Sequence, residues 1–115
     1  MRIIVAGGRD FSDYEFMVGV LDRLFSRLSE VVIISGMARG ADNLGHRYAR
    51  EHGIEVIEMP ANWKAHGRAA GMIRNSAMLE VAEGLVAFWD GKSPGTRDMI
   101  SKAKAKGIHV RVISY

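Results

Sequence analysis

Short apolar runs alternate with helical patterns along the whole chain. Ile3 to Ala6 is a mostly β-branched run that ends at Gly7-Gly8. Ser12 follows as a candidate N-cap with Glu15 three residues on, a capping-box spacing. Met17, Val20, Leu21, Leu24 and Leu28 then recur at helical intervals and predict an amphipathic helix. Val31 to Ile34 reads as the second strand, and a helix over Ala41 to His52 stops at Gly53. Ile54 to Met59 is the third strand, closed by Pro60. A helix from Arg68 to Ala82, stopping near Gly84, leads to a fourth strand at Leu85 to Trp89. Thr96 to Lys106 is the last helix, ended by Gly107, and His109 to Ile113 the last strand.

Near-continuous apolar strands joined by crossover helices predict a parallel sheet covered on both faces. The expected fold is therefore α/β: one Rossmann-like, three-layer domain over residues 1–115 with a five-stranded parallel sheet. Right-handed crossovers make strand order 3-2-1-4-5 the most economical topology. Its switch point lies between the first and fourth strands, where ligands bind outside the carboxyl ends. Three glycine-rich, charged loops meet there: Gly7 to Phe11, Gly36 to Asp42, and Asp90 to Thr96.

Composition narrows the chemistry. With 115 residues there is room for one hydrophobic core. There are no cysteines, which excludes disulfides, thiolate metal sites and thiol catalysis. His46, His52 and His109 lack ligand spacing, so neither a metal nor a bound cofactor is expected. No signal peptide and no apolar run of about 20 residues is visible, so a cytoplasmic protein without membrane contact is expected. A net charge of +3 favours anionic partners. Lys102, Lys104 and Lys106 supply part of it and read as a solvated helix face rather than a nucleic-acid patch.

Each loop offers candidate ligand contacts. Gly91-Lys92-Ser93-Pro94-Gly95-Thr96 lies between a strand and a helix, where backbone N–H groups and the helix dipole suit an anion. The same segment also reads as a turn with Thr96 as N-cap. It is not a P-loop, because that register would need glycine at Val86, and Gly7-Gly8-Arg9 does not continue as a dinucleotide fingerprint. Arg39, beside Gly36 and Gly40, can clamp phosphate or carboxylate; Asp42 can accept from ligand hydroxyls or serve its helix start. Trp63 can stack on a base, with Lys64, His66 and Arg68 toward phosphates, or else cover a sheet edge or a dimer contact. Gly67 and Gly71 suggest close backbone packing. Arg74 and Met78, four apart, can form an anion clamp beside an apolar wall. Trp89 and Asp90 end the fourth strand. Asp90 can bind ribose or act as a base, or simply form the turn.

Taken together, these segments resemble the YspA-like (cpYpsA-related) branch of the SLOG superfamily. They are Gly7-Gly8-Arg9-Asp10-Phe11, Gly36 to Asp42, Trp63 to Gly67, Ala70 to Met78, and Ala87 to Gly91 with Gly95-Thr96. The resemblance implies binding of a nucleotide-derived ligand such as ADP-ribose or an NAD-related molecule, and a homodimer. It is similar, more distantly, to the Lonely Guy phosphoribohydrolases, whose motifs take the forms RKxxM and GGxGTxxE. Arg74 to Met78 fits the first with Asn75 in place of lysine, and Gly95-Thr96 fits the core of the second. The glutamate of that motif falls on Met99, and Asp98 is one residue early, about 100° away on the helix.

The expected function is therefore binding, as sensor or sequestering protein, of a nucleotide or NAD/ADP-ribose-derived ligand. Candidate contacts are Gly7, Gly8, Arg9, Gly36, Arg39, Gly40, Asp42, Trp63, Arg74, Asn75, Trp89, Asp90, Gly91, Ser93, Gly95 and Thr96. N-glycosidic hydrolysis, with Asp90 as the catalytic carboxylate, is the alternative. Single-stranded DNA binding is the third reading.

Overall fold

A computed structural model describes residues 1–115. Five strands alternate with helices: β1 (Arg2–Gly7), α1 (Tyr14–Phe25), β2 (Val32–Ser35), α2 (Ala41–Glu51) and β3 (Glu55–Glu58) form the first half. The second half comprises α3 (Trp63–His66), a 3₁₀ turn (Gly67–Ala69), α4 (Ala70–Val81), β4 (Gly84–Trp89), α5 (Pro94–Lys106) and β5 (His109–Ser114). All strands are parallel in the order β3-β2-β1-β4-β5, as the pattern predicts.

Alternate strand residues feed two apolar layers, which follows from the period of two along a strand. Ile3, Val5, Ile33 and Phe88 face α1 and α2, where Met17, Leu21 and Tyr48 complete the cluster. Ile4, Ala6, Ile34 and Ala87 face α4 and α5, against Met78, Leu79, Met99 and Ile100. Burial on both faces explains why the central strands read as unbroken apolar runs. The register sets Gly7 beside Phe88, so the ends of β1 and β4 open side by side.

The differences lie at element ends. Asp13, not Ser12, caps α1: its carboxylate accepts the Phe16 N–H at 3.1 Å. Glu15 therefore has no capping box to complete, and Leu28 lies beyond the helix and is exposed. The helix expected from Arg68 begins at Ala70, after the 3₁₀ turn, and a short helix that the pattern does not predict precedes it. Asn62 caps the short α3 by accepting from Ala65 N–H, and Gly67, at φ +54°, ends it before α4 begins. Gly67 thus serves a backbone conformation rather than close packing, since no atom lies within 4 Å of a side chain placed there. Gly84 opens β4 instead of stopping a helix. Ser93 takes the N-cap position of α5 and Pro94 the first helical one, where its fixed φ and missing N–H suit the turn. Thr96 is therefore not the cap but a buried first-turn residue.

Candidate functional site

Three glycines bring the β1–α1 and β2–α2 loops into contact. Gly8 donates to Phe88 O at 3.0 Å and its carbonyl accepts from Ala41 N–H at 3.1 Å. Gly40, at φ +86°, lies against Gly8 and Arg9, where a Cβ would collide with Gly8 O. A side chain on Gly7 would strike the Phe88 carbonyl, and one on Gly8 the Tyr115 hydroxyl. These glycines build the wall of the site by close approach. Gly8 and Gly40 do not themselves line it.

The resulting cleft, about 540 Å³, sits at the carboxyl ends of β1 and β4. Of the residues singled out in the sequence, Gly7, Arg9, Arg39, Asp42, Trp63, Arg74, Asn75, Asp90, Ser93, Gly95 and Thr96 line it. A second cavity of about 510 Å³ adjoins it, lined by Gly36 and Pro60 and sharing Arg9, Ala38, Arg39, Trp63 and Arg74 with the first. Trp89 and Gly91 line neither. The Trp89 indole N–H is used on Ser93 O at 3.1 Å, and Arg97 lies over its ring at 5.6 Å. Gly91 supplies a turn at φ +84°.

Gly36 is where the charges meet. A Cβ there would come within 2.6 Å of Arg74 Nη1 and 2.7 Å of Asp42 Oδ2, so the absence of a side chain leaves room for both groups. Arg74 donates through Nη1 to Gly36 O at 2.5 Å and through Nε to Asn75 Oδ1 at 3.0 Å. Asn75 in turn donates to Gly95 O at 3.5 Å, tying α4 to the start of α5. Asp42 is buried, and its carboxyl is pushed up to about 6, mainly by loss of water. The Arg74 guanidinium and the N–H groups of Ala38 and Gly7 oppose that rise. Burial also lowers the Arg74 pKa, with Asp42 acting against it.

The other cations are less committed. Arg9 lies 5.9 Å from the Trp63 ring centroid, and Trp63 is half exposed. Arg9, Arg39 and Arg68 are exposed, and each lines the first cleft. Lys64 and His66, expected to face phosphates, line neither cavity. Of the late lysines, Lys102 pairs with Asp98 at 3.1 Å and Lys106 donates to Leu79 O, so two of the three are turned onto α4 and α5.

Asp90 forms the turn. Its Oδ1 accepts the N–H groups of Lys92 at 2.9 Å and Ser93 at 2.8 Å, which holds its carboxyl below the ordinary value. A carboxylate so held is a poor proton carrier near neutral pH. Met99 faces the cleft and is buried, whereas Asp98 lies off it in the ion pair with Lys102. Sequence reasoning missed Asp10. Its Oδ1 accepts from Tyr115 Oη at 2.5 Å, a partner 105 residues away that no local pattern reveals.

Comparisons with known proteins establish the family and the fold. Residues 1–66 match the model of the YspA, cpYpsA-related SLOG family. The chain belongs to that family. It is 34% identical over 116 residues to the Gene 61 protein of Mycobacterium phage D29, across 95% of this chain and 93% of the phage protein. Among solved structures it is similar to DNA processing protein A (DprA) from Streptococcus pneumoniae, with a TM-score of 0.74 and 21% identity. That alignment covers 99% of this chain and 50% of the DprA chain, and it shows the shared fold. SLOG membership points to nucleotide-related binding or processing. No helix is long and apolar enough to cross a membrane.

Proposed function

We propose that the cleft binds a nucleotide-derived molecule with a phosphate or pyrophosphate at its centre. The observation that carries this reading is the pair of adjoining cavities with a shared cationic wall of Arg9, Arg39 and Arg74. Such a wall suits a two-part ligand joined by an anionic bridge, as in ADP-ribose or an NAD-derived compound. Arginine forks recognise phosphate oxygens in pairs, which gives orientation as well as charge neutralisation. No side chain caps the first turn of α5, so the N–H groups of Gly95 and Thr96 are available to the same phosphate. Trp63, half exposed at the junction, offers a stacking face for a base.

Binding without turnover fits the carboxylates. Asp10, Asp42 and Asp90 are the acids that line the first cleft. One is held by Tyr115, one is buried beside Arg74, and one is held by its own turn. Asp10 and Asp90 are engaged by the protein itself, and Asp42, with its carboxyl at about 6, is the acid on which turnover would depend; the sensing or sequestering role is read from the engaged pair.

Mass spectrometry of small molecules released from the purified protein tests the reading, followed by calorimetry with AMP, ADP-ribose and NAD. Recovery of an intact nucleotide is the expected result. Base plus ribose phosphate would favour N-glycosidic hydrolysis instead. Failure of all three compounds, with salt-sensitive affinity for a single-stranded oligonucleotide, would favour the DNA reading that the DprA-like fold suggests.

A further inference from the structure

We propose that Asp10 accepts hydrogen bonds from the sugar hydroxyls of the bound nucleotide and that Tyr115 positions it, an inference that rests on the nucleotide reading of the cleft and deepens it. Tyr115 directly follows β5 and lines neither cavity. It nevertheless touches Gly8, Asp10 and Phe11, which surround Arg9 in the β1–α1 loop. Its hydroxyl donates to Asp10 Oδ1 at 2.5 Å and fills the place that a side chain on Gly8 would need. Its ring meets the buried Phe11 edge-on, with centroids 4.8 Å apart. Its backbone N–H donates to Trp89 O at 3.3 Å, which ties the tyrosine to the end of β4.

The hydroxyl bond leaves Asp10 oriented from one side and open on the other. Oδ1 is taken by Tyr115, whereas Oδ2 accepts no hydrogen bond within the chain, on an exposed side chain that lines the first cleft. No salt bridge engages Asp10 either. Tyr115 keeps the donor role, because loss of water and then the Asp10 and Asp90 carboxylates push its pKa up.

Charge decides which part of a nucleotide can meet that oxygen. A carboxylate repels phosphate and accepts from O–H groups. In a cleft lined by Arg9, Arg39, Arg68 and Arg74, phosphate goes to the arginines. The uncharged, hydroxyl-bearing sugar is the part left for Asp10. The other acids of the cleft are less free: Asp42 is buried beside Arg74, and Asp90 is held by two N–H groups of its own turn. A site built to bond a hydroxyl rejects the analogue that lacks it, because its own polar group then goes unpaired.

Calorimetry with AMP, ADP-ribose and NAD, each beside analogues lacking the vicinal hydroxyls of one ribose, tests the pair. The wild type should prefer the hydroxyl-bearing form of a bound compound by roughly tenfold or more, as for a hydrogen bond to a charged group. Asp10→Ala should bring the two forms to equal affinity. Asp10→Asn, a neutral acceptor of the same shape, should fall between, so the test stands even if Asp10→Ala fails to fold. Tyr115→Phe, which keeps the ring on Phe11, should cut the preference by roughly threefold or more while affinity for the deoxy form holds. Adding Tyr115→Phe to Asp10→Ala should change nothing further. Equal weakening of both forms by Tyr115→Phe would overturn its positioning role. A preference that survives Asp10→Ala, or a wild type that binds both forms equally, would overturn the proposal and leave the nucleotide reading intact. Failure of all three compounds to bind would overturn both.

Discussion

Arg74 and Asp42 show how much of the site depends on single atoms. Arg74 is held by Gly36 O and Asn75 Oδ1, so its guanidinium meets the cleft already oriented. Arg74→Ala should weaken binding of a phosphorylated ligand by about 1.5–3 kcal/mol, the worth of a charged hydrogen bond. Unchanged calorimetric affinity in a folded variant would remove Arg74 from the phosphate subsite. Asp42 makes a prediction about stability. Its rise from 3.8 to about 6 corresponds to about 3 kcal/mol in favour of the neutral form. The folded-state value lies above the unfolded one, so folding takes up a proton between them. The contribution is complete below pH 3.8 and is lost as pH rises through about 6. Denaturant unfolding of the wild type and Asp42→Asn across that range should show the wild type losing ground as pH rises. Parallel pH curves for the two proteins would mean that Asp42 titrates normally. The sequence places Arg74 on the helix before β4 and Asp42 at the start of the helix after β2, where both are found. The burial of Asp42 was beyond it, because that depends on α2 closing over β1 and on Gly36 leaving space.

At the scale of elements, the periodic signals carried well and the end signals carried poorly. Every strand and the bodies of α1, α2, α4 and α5 follow from apolar spacing, since burial on one face of a helix or both faces of a strand fixes those positions. Helix ends depend on a single hydrogen bond or one φ angle. Ser12 and Asp13 compete for one cap, and Ser93-Pro94 outcompetes Thr96 because proline is already set for the first turn. The short α3 escaped notice for the same reason: its signals are Asn62 as cap and Gly67 as stop, with no apolar stripe between. The joined β1–α1 and β2–α2 loops give the clearest prediction at this scale. Gly40→Ala would place a methyl group against Gly8 O at a backbone conformation, φ +86° and ψ −130°, that only glycine occupies readily. Thermal or denaturant melts should show a loss of at least about 1–3 kcal/mol from backbone strain alone. Gly53→Ala is a useful control, because it shares a positive φ of +66° but meets no neighbouring atom. Equal losses in the two variants would show that the contact with Gly8 adds nothing.

For the molecule as a whole, topology accounts for the position of the candidate cleft. Parallel strands in the order β3-β2-β1-β4-β5 leave a crevice between the loops after β1 and β4, and the basic residues gather there. What the chain does with a bound nucleotide turns on carboxylates. Cleavage of a glycosidic bond develops positive charge at the sugar carbon, and a placed carboxylate stabilises it. On the face of α5 that looks into the cleft the residue is Met99, while Asp98 points away toward Lys102. Asp90 is the remaining carboxylate in the β4–α5 loop, and its low pKa suits it to stay ionised but not to deliver or accept a proton. Nucleoside monophosphates should therefore bind and persist uncleaved, with turnover far below ordinary enzymatic rates of about 1–10³ s⁻¹. Incubation with AMP followed by chromatography of free adenine measures this directly. Should slow release occur, Asp90→Asn separates the two roles. Loss of release with affinity retained would assign Asp90 to charge stabilisation, whereas loss of the fold would assign it to the turn. Release at an ordinary enzymatic rate would contradict the binding role, and it would require that Asp90, although hydrogen-bonded through Oδ1, acts on the sugar through Oδ2.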